Sequence, residues 1–121
     1  MKTILCFGNP LIEEDNLALK IGRGLSDEYN VVFVVDVDEI LQYNLEEVYI
    51  LDVAENVDDI KMFKDIDAIN AGRICSLHDF DLGFFLKLLK ELGRIESIRI
   101  ICVPKTAFVD QATKKVVKLI G

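Results

Sequence analysis

The chain has 121 residues, 51% of them apolar, which suits one domain with a substantial core. Its 14 basic and 21 acidic residues give a net charge of −7, spread over both halves, which argues against a nucleic-acid partner. No apolar run approaches the roughly 18 residues of a membrane span, and the first residues do not fit a secretory signal. We therefore expect a cytoplasmic protein with no membrane partner.

The first half of the chain alternates between short apolar runs and polar or amphipathic segments. Residues 3–8 form a continuous apolar run, which predicts a strand buried on both faces. An amphipathic helix should follow, with Asp15 at its N-cap position. Residues 31–35 predict a second buried strand and residues 47–53 a third strand, and the acidic segment 36–44 predicts a short helix or turn between them.

The second half continues this alternation. Residues 60–65 alternate with period two and predict an edge strand, and residues 73–77 and 97–104 predict two more strands. Helices are predicted for 79–93 and 109–120. The predicted apolar face of the first of these two helices consists of Leu82, Phe85, Leu86, Leu89 and Leu92.

Strands that alternate with helices over the whole length predict one α/β domain spanning residues 1–121. The expected architecture is a three-layer α/β/α fold around a mostly parallel, twisted sheet of about five strands, because parallel strands need crossover connections. In such sheets, ligands bind beyond the carboxyl ends of the strands. The polar residues that follow the strands are therefore the candidate functional residues.

Three such residues are expected at one edge of the sheet. Asp15 follows the first strand, Asp52 ends the third, and His78, the only histidine, follows the apolar run 73–77. Two carboxylates and an imidazole are suitable ligands for a divalent transition metal and leave positions open for an outside ligand. Each residue also has a simpler interpretation: Asp15 caps a helix, Asp52 faces water, and His78 is a surface residue.

The three cysteines do not form a metal-binding or disulfide pattern. Cys6, Cys75 and Cys102 are widely spaced, and each lies in a strand-like apolar run, which predicts buried, reduced thiols. Cys75 lies near His78 in sequence, but an apolar strand should raise its pKa and make it a poor nucleophile.

Taken together, these motifs resemble the maturation endopeptidases of nickel-iron hydrogenases. The resemblance rests on a strand leading into "GNPLIEED" at 8–15, on the aspartate of "YILDV" at 49–53, and on the histidine of "SLHDFDLGFFLKLLKELG" at 76–93. It covers nearly the whole chain in the same order. The family opening places Glu14 and Asp15 on its pair of acids.

The resemblance implies an α/β/α fold and a defined activity. Family members remove a C-terminal extension from the hydrogenase large-subunit precursor and are thought to recognise nickel that the precursor already carries. Asp15, Asp52 and His78 would then be the ligands that meet the substrate's nickel, and zinc or nickel is expected to occupy the same site in vitro. These proteins are sometimes grouped with aspartic peptidases, but nothing here implies a proton-sharing dyad, so no catalytic base is assigned.

The resemblance also implies a substrate-binding role for Gly8, Asn9 and Glu14. The chain departs from the family pattern after the acid pair, where Asn16 and Ala18 replace two usual glycines. These departures leave two alternatives to an active peptidase. One is a nickel-binding or precursor-binding module without cleavage activity, and the other is an unrelated α/β domain whose acids and histidine are only caps and surface residues.

Overall fold

The described residues fold into alternating strands and helices. The computed structural model describes residues 1–7, 16–54, 57–65 and 79–121. The elements in chain order are β1 (Thr3–Phe7), α1 (Leu17–Leu25), β2 (Asn30–Val34), a 3₁₀ helix (Val37–Gln42), β3 (Tyr49–Ala54), β4 (Lys61–Phe63), α2 (Asp79–Glu91), β5 (Arg99–Pro104) and α3 (Val109–Ile120). No helix in these ranges is both long and apolar enough to cross a membrane.

The strands form one five-stranded sheet in the order β2-β1-β3-β5-β4. The first four strands in this order pair in parallel, and β4 pairs antiparallel with β5 at the edge. The mostly parallel sheet and the edge strand predicted within 60–65 are therefore confirmed. Strand β3 lies at the centre, so its residues are covered by neighbouring strands on both sides.

Helices cover both faces of the sheet, which explains why the strands are apolar without alternation. On one face, α1 and α3 pack on the strands through residues such as Ile21 and Val116. On the other face, α2 and the 3₁₀ helix pack through Leu86 and Ile40. The predicted three-layer architecture is thereby confirmed.

Helix α1 approaches the sheet closely at Gly22. A Cβ atom at this position would lie 2.8 Å from Cys6 Sγ and 3.0 Å from Phe33 Cε1. Real Cβ atoms essentially never come this close to a neighbour, so glycine is what lets α1 pack against β1 and β2. This close contact determines the position of α1 on the sheet.

Two details of the helix predictions are wrong. The N-cap of α1 is Asn16 rather than Asp15, because the Asn16 carbonyl accepts the first intrahelical hydrogen bond, from the Lys20 N–H at 3.0 Å. Leu92 is 64% exposed rather than part of the buried face, because α2 ends at Glu91. The strand predicted for 73–77 lies outside the described residues.

Candidate functional site

The candidate site is centred on Asp52, two residues before the end of the central strand β3. Its side chain is only 2% exposed, and it is the only charged residue that is buried within the described ranges. The Asp52 Oδ1 atom accepts a hydrogen bond from the backbone N–H of Val53 at 2.9 Å. An acidic side chain buried at the carboxyl end of a central parallel strand lies where α/β sheets bind their ligands, so Asp52 is a strong candidate for a functional residue.

Strand β1 and helix α1 reach the same edge of the sheet. Strand β1 ends at Phe7, one residue beyond the Cys6–Leu51 pair, so it ends at the level of Asp52. Helix α1 connects two parallel strands and therefore runs back toward their amino ends. Its first residue, Leu17, accordingly lies at the carboxyl edge.

Helix α2 also begins at this edge. Its Leu89 lines a depression together with Leu45 and Ile95, which precede the amino ends of β3 and β5. The carboxyl-terminal half of α2 therefore lies toward the amino edge. Since a helix of 13 residues is about 20 Å long, its first residue, Asp79, lies at the opposite edge, where β3 ends.

The other predicted site residues lie outside the described residues. These are Gly8, Asn9, Glu14, Asp15 and His78, together with the third cysteine, Cys75. Their convergence with Asp52 stays a prediction, which the positions of β1, α1 and α2 fit. Within the described ranges, no group of three or more metal-ligating side chains occurs. Asp52 is thus the one predicted ligand whose position is known.

Two buried thiols lie on β1 and β5, the strands on either side of β3. Cys6 and Cys102 are free and buried, as predicted. Burial, and secondarily the negative charge of Asp52, raises the pKa of each thiol from 9.0 to about 12. Both thiols are therefore protonated at neutral pH, which makes them poor nucleophiles and removes a thiol mechanism at either position.

Asn16 brings an unexpected acceptor to the start of α1. Its Oδ1 atom is buried and has no hydrogen-bond partner in the described part of the chain, and its side chain does not cap the helix. A buried acceptor without a donor is costly, and bound ligands or ions commonly explain one. The sequence analysis treated Asn16 only as a replaced glycine, because nothing in the sequence shows that its oxygen is buried.

A pocket of about 230 Å³ lies beside the end of β5. Pro104, the last residue of β5, lines it and pairs with Ala54, two residues after Asp52. Lys115 of α3 and Asp59 also line the pocket, and they form a hydrogen-bonded ion pair with each other. The hydrogen bond from Lys115 is the main reason that the pKa of Asp59 lies below its usual value. The pocket was not predicted, because the two partners are far apart in sequence.

The fold matches solved structures of hydrogenase maturation proteases. The [NiFe] hydrogenase maturation protease HybD from Thermococcus kodakarensis aligns with a TM-score of 0.73 and 26% identity, covering 100% of both chains. The hydrogenase maturating endopeptidase HybD from E. coli aligns with a TM-score of 0.67 and 15% identity, over 99% of this chain and 92% of that one. A hydrogenase 3 maturation protease aligns with a TM-score of 0.65 and 18% identity, over 98% of this chain and 87% of that one. No protein-family model and no curated protein matches the chain.

Proposed function

Since the chain belongs to the hydrogenase maturation protease family by its fold and full-length similarity, we propose that it is an endopeptidase acting on a nickel-iron hydrogenase large-subunit precursor. The reaction would remove the C-terminal extension of the nickel-loaded precursor. Proteins of similar fold that carry the name maturation protease support the peptidase class. The substrate, the use of nickel and the residues involved are our own inference.

The buried position of Asp52 is the observation that carries this proposal. A carboxylate at the carboxyl end of the central strand lies where α/β sheets bind their ligands. Desolvation makes its attraction to a cation stronger than it would be in water. A nickel ion brought by the substrate would therefore interact strongly with this side chain.

Asp15 and His78 would complete the contact with the substrate's nickel. Asp15 lies two residues before the start of α1 and His78 lies one residue before the start of α2, and both helices begin at the edge where Asp52 lies. Carboxylate oxygens and an imidazole nitrogen suit nickel, and zinc would bind the same ligands in vitro. Three protein ligands leave coordination positions for groups of the precursor. Gly8, Asn9 and Glu14 would lie next to them at the substrate-binding surface.

Peptide hydrolysis adds one water molecule across the scissile bond. The water oxygen bonds to the carbonyl carbon, the carbon–nitrogen bond breaks, and the leaving nitrogen takes up a proton. The substrate's nickel would assist by polarising the carbonyl or by activating the water. Asp52 serves as a ligand in this proposal.

Asn16 favours one alternative function. Its amide stands at the start of α1, where the family pattern has a glycine, and its buried oxygen has no donor among the described residues. The alternative is a module of the same fold that binds nickel or the precursor without cleaving it.

Incubation with the nickel-loaded precursor distinguishes these functions. Intact-mass spectrometry of the precursor should show loss of the C-terminal extension as one discrete fragment. Binding of the precursor without any change in its mass would instead identify the non-cleaving module. If the precursor is neither bound nor cleaved, the chain is an α/β domain with another role.

A further inference from the structure

Helix α2 carries large apolar side chains on its outer face as well as on its inner face. Phe84, Leu88 and Leu92 follow one another at intervals of four residues and are 64%, 42% and 64% exposed. Leu86 and Leu89 of the same helix are buried against the sheet. Large apolar side chains that are exposed next to one another commonly mark an interaction site, so the outer face of α2 is suited to a partner.

Helix α3 shows that an apolar outer face is not a general property of the helices in this fold. It covers the opposite face of the sheet and buries Ala112 and Val116. Its outer face carries Asp110, Lys114 and Lys118, all exposed. This is the pattern of a helix whose outer face is in water. The apolar outer face of α2 therefore needs an explanation of its own.

The apolar surface extends from α2 onto the 3₁₀ helix. Leu41 is 54% exposed and borders a depression of about 100 Å³ next to Leu89 and Tyr43. We call Leu41, Phe84, Leu88 and Leu92 the α2 patch. A depression beside an exposed apolar surface is the usual setting for an anchoring side chain of a partner protein.

The size of the α2 patch indicates a transient partner rather than a second copy of the chain. The four side chains expose an apolar area on the order of 400 Å², the size of the functional patches found on monomers. A stable dimer buries about 800 Å² on each partner. The patch is large enough for the apolar centre of a contact that forms and dissociates during each catalytic cycle.

The surrounding charges indicate that the partner is a protein. The exposed residues Lys87 and Glu91 lie beside the patch on α2 and carry opposite charges. An anionic membrane or a nucleic acid would require a basic rim, and the whole chain has a net charge of −7. An apolar protein surface fits the patch without a charge penalty.

The position of the α2 patch points to the substrate as this partner. Phe84 lies five residues from the start of α2, about 8 Å along the helix from the edge where Asp52 lies. We propose that the large-subunit precursor docks on the α2 patch while its nickel and scissile bond reach that edge. This proposal rests on the function proposed above. It assigns substrate affinity to residues outside the metal site.

The test compares the wild-type chain with the double variant Phe84→Glu/Leu88→Glu. Both side chains are exposed, so the variant should keep its circular dichroism spectrum and its Tm close to the wild-type values. We expect KM for the precursor to rise about tenfold or more, because two central contacts are lost, while kcat stays within about twofold. Lys114→Glu is the matched control, since it also changes the net charge by two, and it should leave both constants unchanged.

Precursor binding is measured in parallel, so that the docking proposal and the proposed function fail in different ways. If the wild-type chain binds but does not cleave, the function is wrong, and weaker binding by the double variant still supports docking. An unchanged KM and unchanged binding in the double variant would overturn docking alone. If sedimentation shows that the wild-type chain is a dimer and the double variant is a monomer, the patch serves self-association and the docking proposal is contradicted.

Discussion

Asp52 of β3 lies directly opposite Cys102 of β5 in the parallel register, and both side chains are buried. The carboxylate and the thiol thus share a region from which water is largely excluded. Burial holds Cys102 in its neutral form, and the charge of Asp52 reinforces this effect. The candidate functional group of this region is therefore Asp52 and not the thiol of Cys102.

The described thiols should be almost unreactive in the folded protein. With pKa values raised to about 12, Cys6 and Cys102 hold very little thiolate at neutral pH, and both are buried. A thiol reagent followed by mass spectrometry should label them only as fast as the protein unfolds. Rapid labelling of Cys102 in parallel with loss of precursor cleavage would contradict this prediction and bring back a thiol mechanism.

Stability should decrease at alkaline pH. The folded-state pKa of Cys6 is raised above 9.0, so the folded state retains a proton that the unfolded chain loses. This stabilisation is fully present below pH 9.0 and is lost as the pH rises toward 12, by about 1.4 kcal/mol per pH unit. Urea unfolding at several pH values measures the slope. Cys6→Ala should make the slope shallower, and an identical slope in the variant would assign it to other groups.

Substitutions at two glycines of α1 should have opposite effects. Gly22→Ala should destabilise the fold by about 1–3 kcal/mol, because its Cβ would meet Cys6 Sγ at 2.8 Å. Gly24→Ala should stabilise it by up to about 1 kcal/mol, because the nearest contact, to Thr113 Cγ2, is an ordinary 3.5 Å and alanine favours helix. Thermal unfolding measures both. Equal effects of the two substitutions would show that close packing of α1 is unimportant.

The sequence predicts β1, β3 and β5 well because these inner strands are buried on both faces and read as uninterrupted apolar runs. It does not predict which residues of neighbouring strands pair, so the juxtaposition of Asp52 and Cys102 depends on a strand order that only the structure provides. Periodicity correctly places Leu86 and Leu89 of α2 in the core, but it does not explain the exposed apolar residues Phe84 and Leu88. The start of α1 was misplaced by one residue, because Asp15 and Asn16 are both good N-cap residues.

Variants of the two predicted ligands outside the described residues separate metal binding from folding. Asp15→Asn should weaken nickel or zinc binding by removing a negative charge, while the fold survives. His78→Ala should also weaken binding and should change stability little, because few packing contacts are expected for a histidine ahead of a helix. Isothermal titration with Ni²⁺ or Zn²⁺ measures the affinities. Unchanged affinity in both variants would show that Asp15 and His78 are not metal ligands.

The most direct test of the proposed function is cleavage of nickel-loaded and nickel-free precursor by the wild-type chain and by Asp52→Asn. The substitution preserves the shape of the buried side chain and removes its charge, so a folded protein with a defective site is expected. The wild-type chain should release the C-terminal extension from the nickel-loaded precursor only, and Asp52→Asn should be at least about a hundredfold slower. Cleavage of both precursors, or wild-type rates with Asp52→Asn, would contradict recognition of the substrate's nickel through Asp52.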